Sequence, residues 1–482
     1  MEKNIIKICF PLMLALTASN CTKDFPALNV NPNQLINVPY KALLTNSINS
    51  ISRAYYTNIY CDNWTRYRAR TIYAQNDQYS LDGSLTNFDA YSGHLKDLKL
   101  AMQKAQAVND LNTVAVTKIL TAYAYQNLTD LYGDIPYSEA LRNTDKPPIV
   151  YPKYDSQKSI YLSLIDKLKE ANSMINVTTS IGTADILFGG NMLKWKKFAS
   201  SLLLRIYMRI SLVEPAIAKL GIEQIVADPT NFPLISSNTD NAYMNWIVGD
   251  ANYRSPQWMN PINYSKSEVV VEASVINFLN KRNDPRLPLY AEKSINSPNI
   301  YAGLPLGTLG QTSPNLSLVG IAKFQSENTP SRLIRYSEIM FIIAEAALNG
   351  WSVGTTAKLA YEAAITASIT EYGGLLGSYL TNPLVDFAGG TPQRELIGDQ
   401  KWIALYPDGI QGFAEVRRTG YPVIVATTEP VRNFFPGKGV IKRFPYPYIE
   451  AISNPVSFKA ALAAQPGITD EKFGKGVWWD PM

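Results

Sequence analysis

The run Tyr336-Ser337-Glu338-Ile339-Met340-Phe341-Ile342-Ile343-Ala344-Glu345-Ala346-Ala347-Leu348 decides the fold class. Tyr336, Ile339, Met340, Ile343, Ala344, Ala347 and Leu348 recur at intervals of three and four, so they form one apolar face of a helix. Gly350 is placed to stop it. The Ala-rich segment 357–370 follows after a short connection and would pair closely with this helix. Outward from this hairpin the same periodicity returns. Val116, Leu120, Tyr123, Ala124, Leu128 and Leu131 share one face. Ile160, Leu164, Leu168, Ala171 and Ile175 share another, with Asp155 or Ser156 as N-cap. Phe198, Leu202 and Ile206 mark a further helix. Thr391-Pro392 reads as N-cap and first helical residue ahead of Arg394 to Leu405.

Adjacent helical runs imply stacked helix–turn–helix units, a tetratricopeptide-like helical-repeat scaffold, although no strict repeat signature is visible. From about 229 to 330 the periodicity fades. Pro256, Pro261, Pro285, Pro288, Pro298, Pro305 and Pro314 break the chain there. The expectation is a mainly α protein with a loop-rich lobe of short helices and strands on the helical scaffold, the setting in which loops carry binding residues.

Composition excludes several functions. With 46% hydrophobic and 18% charged residues in 482, the chain can bury a sizeable core. A net charge of +5 without a basic run does not support nucleic-acid binding. His94 is the single histidine, so a multi-histidine zinc site is impossible and a serine or cysteine triad would have to use that residue. His94 precedes a helix-like run and reads as a surface or helix-start residue. No phosphate loop, Cys-x-x-Cys, His-Glu-x-x-His or Gly-x-Ser-x-Gly occurs. Gly303, Gly307 and Gly310 read as turns. No cofactor, no metal and no catalytic residue is expected. A hydrolase built on scattered carboxylates is the enzymatic alternative.

Lys3 and Lys7 precede the apolar run 8–18, which is far shorter than the roughly 20 residues of a spanning helix. Residues 1–20 therefore read as a secretory signal, leaving 21–482 as the mature domain. Ala18-Ser19-Asn20-Cys21 resembles a bacterial lipobox, with Asn20 where Gly, Ala or Ser is usual. The expectation is lipidation at Cys21, and Lys23-Asp24 resembles a surface-export tag. Cys61 is then left alone, unable to form an internal disulfide, and reads as a buried bystander.

Six segments, in order along the chain, resemble the SusD/RagB family. They are Asn29-Val30-Asn31-Pro32-Asn33; Leu131 to Ala140, which includes Tyr132-Gly133-Asp134; Asn283 to Leu287; Arg335 to Glu338 continuing to Ala346; Gln400 to Leu405 with Gly412 to Pro422; and Arg443 to Pro447 with Glu450 and Asn454. The resemblance implies a surface-exposed, lipid-anchored protein of the outer membrane. Its partner would be a SusC-like TonB-dependent transporter, its cargo an oligosaccharide, and its role capture without turnover. The same fold capturing peptides, and a helical-repeat adaptor binding only protein, are the alternatives.

The residues of these motifs also read structurally. Glu338 and Glu345 lie seven apart on one helix face, and pairing with Arg335, Arg417 or Arg418 explains them without catalysis. Trp402 reads as core. Binding residues are expected where rings and polar groups cluster, because sugars offer flat C–H faces rimmed by hydroxyls. One cluster supplies Asp62, Trp64, Arg66 and Tyr67. The other supplies Trp246, Tyr253, Arg254 and Trp258.

Overall fold

The computed structural model describes residues 38–464, except 57, 75–76, 78, 80–86, 259–267, 309 and 426–437, together with residues 476–481. The expected leader 1–20, Cys21 and the Asn29 to Asn33 motif lie outside the described residues. From Tyr40 onward the chain forms a single unit.

Its frame is a succession of helices: α1 (Tyr40–Ala54), α2 (Ile59–Trp64), α3 (His94–Ala107), α4 (Leu111–Tyr132), α5 (Gln157–Met174), α6 (Met192–Arg209), α7 (Pro215–Ala227), α8 (Ala273–Lys281), α9 (Tyr336–Leu348), α10 (Ala357–Thr370), α11 (Gln393–Leu405), α12 (Gly409–Thr419) and α13 (Pro455–Ala464). Each of α4 to α7 packs on the helix before it, α3 packs on α1, and α10 packs on α9 more extensively than any other pair. The layered hairpins of a mainly α, helical-repeat fold are therefore present. α6 and α11 also cover α9, and α12 returns to pack on α2 and α4.

Local chemistry sets the boundaries. Asp110 caps α4 by accepting from the Thr113 amide, and Ser156 caps α5 by accepting from the Ser159 amide. Gly133 ends α4 with φ of 80°, a backbone region costly for other residues. Helix α11 begins at Gln393 with Pro392 as its N-cap, one residue later than the sequence reading placed it. Helix α9 differs from its expected single stripe. Phe341, Ile342 and Ala346 are fully buried, while Tyr336, Met340, Ala347 and Leu348 are half-buried. Cover from α6, α10 and α11 buries nearly the whole circumference, so no one face dominates.

Three small antiparallel ladders tie loops to this frame. β1 (Arg68–Arg70) pairs with β5 (Val269–Val271) in the register Arg68 to Val271. β2 (Ile135–Pro136) pairs with β3 (Tyr154–Asp155). β4 (Ala242–Met244) pairs with β6 (Ser331–Ile334) across an irregularity at Ala242/Tyr243. Among the described residues between 229 and 330, α8 is the longest helix, and 3-10 turns, short helices and loops make up the remainder.

Candidate carbohydrate-binding platform

The second aromatic cluster lies beside the C-terminal end of α1. Arg53, in the last turn of α1, lies 4.5 Å from the Trp246 ring centroid. Its Nε donates to Asn49 Oδ1 at 2.8 Å, and its Nη2 donates to the carbonyls of Asn252 and Arg254. Partial burial, reinforced by the charge of Arg254, lowers the Arg53 pKa from its ordinary value. Trp246 continues β4 and donates from Nε1 to Ser331 Oγ at 3.1 Å, on the neighbouring strand β6. A tight loop follows, closed by the Ile247 amide donating to the Tyr253 carbonyl at 2.6 Å. The Ser255 amide donates to the Glu327 carbonyl at 2.7 Å, fixing the far side.

This loop presents Tyr253, Arg254 and Trp258, all half-buried, with the Arg254 guanidinium 4.3 Å from the Trp258 centroid. Ile247 and Val248 stand exposed beside them. Trp246 itself is only 5% exposed and anchors the loop from below.

The other cluster lies deeper. Trp64 is 5% exposed, and its ring packs edge-on against Phe444 at 5.0 Å and Phe413 at 5.6 Å. Tyr67 is fully buried and its hydroxyl donates to the Trp402 carbonyl. Arg66, at a positive φ of 64°, donates to the Val425 carbonyl at 2.7 Å and lies 3.8 Å from Glu272. Asp62 is buried beside Arg68 at 3.3 Å, and burial pushes its carboxyl up to about 7 despite that cation. In this conformation these four side chains face the scaffold. Arg68 links the clusters by donating to Gln257 Oε1 at 2.8 Å, and Gln257 reaches the Tyr56 carbonyl.

Sequence spacing did not single out Arg53, Ser331 or Gln257 for this platform. Arg53 is 199 residues from one of its partners, Asn252, and no local pattern joins them.

The remaining chemical candidates are structural. His94 does begin a helix but is buried, not at the surface. Its ring meets Ser50 Oγ at 3.3 Å and the Tyr55 hydroxyl at 3.1 Å, and burial lowers its pKa to about 4. Cys61 is buried and its thiol is pushed up by that burial. Glu338 is bound by Arg205 through bonds of 2.6 and 2.7 Å, and Glu345 by Arg418 at 2.7 and 2.6 Å. Arg335 instead donates to the carbonyls of Ala404, Leu405 and Tyr406, and Arg417 to those of Phe413, Asp130 and Lys442. The expected Arg335 partner is thus replaced by Arg205, which α6 carries to α9. Among the described residues no group of three or more His, Cys, Asp or Glu side chains is arranged to hold a metal, and no helix is long and apolar enough to cross a membrane.

The family model SusD-like, described as starch-binding associating with outer membrane, matches residues 26–447. A SusD homologue from Bacteroides uniformis is 26% identical, with a TM-score of 0.78 over 92% of this chain and 99% of its own. A structure described as a chitin-binding protein is 28% identical, also at TM-score 0.78, over 92% of this chain and 100% of its own. A chitin-binding SusD homologue from Flavobacterium johnsoniae shares the fold at TM-score 0.79 and 24% identity, over 92% of this chain and 98% of its own. Comparison with curated proteins gave no match. A match running across most of the chain, on a scaffold of the same architecture, makes this protein a member of the SusD-like family.

Proposed function

We propose that the protein captures glycan oligosaccharides at the cell surface and passes them to a SusC-like TonB-dependent transporter in the outer membrane. The observation that carries this reading is the loop at 246–258, which holds Tyr253, Arg254 and Trp258 at the surface on an anchored base. An aromatic face receives the C–H face of a pyranose, and a guanidinium beside it serves the hydroxyl rim. Likeness to a chitin-binding protein supports an N-acetylated or related glycan as cargo. In this reading Tyr253, Arg254 and Trp258 touch sugar. Trp246 sets their height, Asp62 connects to the loop through Arg68 and Gln257, and Trp64, Arg66 and Tyr67 pack within the scaffold. Lipidation at Cys21 would hold the protein at the membrane, where the family description places its members.

The test is a titration of the protein with starch, chitin and cellulose oligosaccharides and a peptide panel, repeated with Trp258→Ala. A glycan should bind, and Trp258→Ala should weaken it by about tenfold, the loss of ~1.4 kcal/mol. Its melting temperature should stay within about 2 °C of wild type, because a half-buried ring outside the core carries little stability. Peptide binding without glycan binding would replace the cargo. Consumption of a bound oligosaccharide would replace capture with catalysis.

A further inference from the structure

Away from the platform, α9, α11 and the end of α12 line an open-mouthed cavity of about 240 Å³. A cavity on this measure needs only ~10–15 Å³ to admit one water, so this one has room for a small organic molecule. Leu348, Ile397 and Tyr421 supply apolar walls. Gly398 makes the shape possible, because a Cβ there would stand 2.5 Å from Cβ of Tyr421.

The polar lining is unusual for so apolar a space. Lys401 and Arg418 line it and are 2% and 1% exposed. Arg418 is oriented by a paired contact with Glu345 and by Glu415 at 2.8 Å, while its Nε has no hydrogen-bond partner. The Lys401 ammonium, with three donors, has one carboxylate partner, Glu415 at 2.8 Å. Arg394 lines the cavity from an exposed position and is bonded to a neutral group, Asn349 Oδ1. The lining therefore carries three cations, Arg394, Lys401 and Arg418, against two carboxylates, Glu345 in the wall and Glu415 behind Lys401 and Arg418, an excess of one positive charge. That balance selects an anion over a cation, and the apolar walls select one with a compact hydrocarbon or aromatic body.

We infer that this cavity is a second ligand site, for a small monocarboxylate whose acid group bonds to Lys401 and whose body lies against Leu348, Ile397 and Tyr421. Burial lowers the Lys401 pKa against the pull of Glu415, Glu345 and Glu338, so a ligand carboxylate adds a further counter-charge to an incompletely compensated ammonium. The site stands on different elements from the 246–258 loop and does not depend on what that loop binds.

Benzoate is a suitable probe and benzamide its uncharged counterpart. Ligand-observed NMR titration should show saturable benzoate binding in the millimolar range or tighter, and benzamide about tenfold weaker or more. Lys401→Met should lose the preference for benzoate. Leu212→Trp fills the cavity from a lining position that is 46% exposed and leaves every charge in place, so it should fold normally and exclude both compounds. If Lys401→Met does not fold, Leu212→Trp decides the question alone. Absence of saturable benzoate binding up to about 20 mM, equal binding of the two compounds, or unchanged binding by Leu212→Trp would each overturn the site.

Discussion

His94 keeps its imidazole inside the protein between α1 and the start of α3, in contact with Ser50 and Tyr55. Its folded-state pKa of about 4 lies below the ordinary 6.5, so the fold favours the neutral ring. The sign follows from linkage. As pH falls below 6.5 the unfolded chain takes the proton first, so stability is full above that value and drains away toward pH 4. The contribution is on the order of 3 kcal/mol at 1.36 kcal/mol per pKa unit. Because no other histidine is present, a proton NMR titration reads this group directly, and its midpoint should lie well below 6.5. A midpoint at or above 6.5 would show that the ring is solvated. The same contrast of burial separates the tryptophans. Trp64→Ala should cost about 3–5 kcal/mol in chemical denaturation, the range for deleting a packed core ring, whereas Trp258→Ala should cost a small fraction of that. Both lie in aromatic, polar-flanked runs, so residue type and spacing made them look alike. What distinguishes them is Phe413 and Phe444, more than 340 positions along the chain, whose rings close around Trp64.

Helices were the most legible elements, because their caps and periods are local. Ser156 ahead of α5, Gly133 after α4 and the pairing of α9 with α10 follow from short-range chemistry. The circumference of α9 was not legible, since it is buried by α6, α10 and α11 and those contacts come from distant sequence. The approach of α12 to α2 is another non-local feature, and Gly409 is the point of close backbone approach. A Cβ at Gly409 would stand 2.4 Å from the Asp62 amide nitrogen and 2.8 Å from the Cys61 carbonyl carbon, both backbone atoms that cannot rotate away. Gly409→Ala should therefore destabilise the protein by about 1–3 kcal/mol, the usual cost of overpacking. Equal denaturation midpoints for Gly409→Ala and wild type would mean that the two helices are free to separate. Short strands were beyond the reach of sequence pattern: β1 and β5 have three residues each, too few to show an alternation.

At the scale of the whole molecule, buried charges join the layers that the apolar surfaces stack. Arg205 of α6 holds Glu338 of α9, Arg418 of α12 holds Glu345 of α9, and Arg286 is bound by Asp284, Gln400 and Ser368. Removing one member strands its partner in the interior at a cost of about 3–5 kcal/mol. Arg205→Met should accordingly lower the unfolding free energy by that amount, and a loss below about 1 kcal/mol would mean that the pair is solvated. Asp284, Glu338 and Glu345 lie in family-like motifs, yet each is paired with an arginine of the scaffold. The proposed binding function rests instead on the loop anchored by Arg53 and Ser331. The most direct measurement is a calorimetric titration of residues 21–482 with a chitin oligosaccharide, alongside a double variant, Tyr253→Ala with Trp258→Ala. Saturable binding by the wild type, abolished in a double variant that melts normally, is the outcome expected of surface capture by this loop. Full binding by that variant, or release of shortened sugars by the wild type, would contradict it.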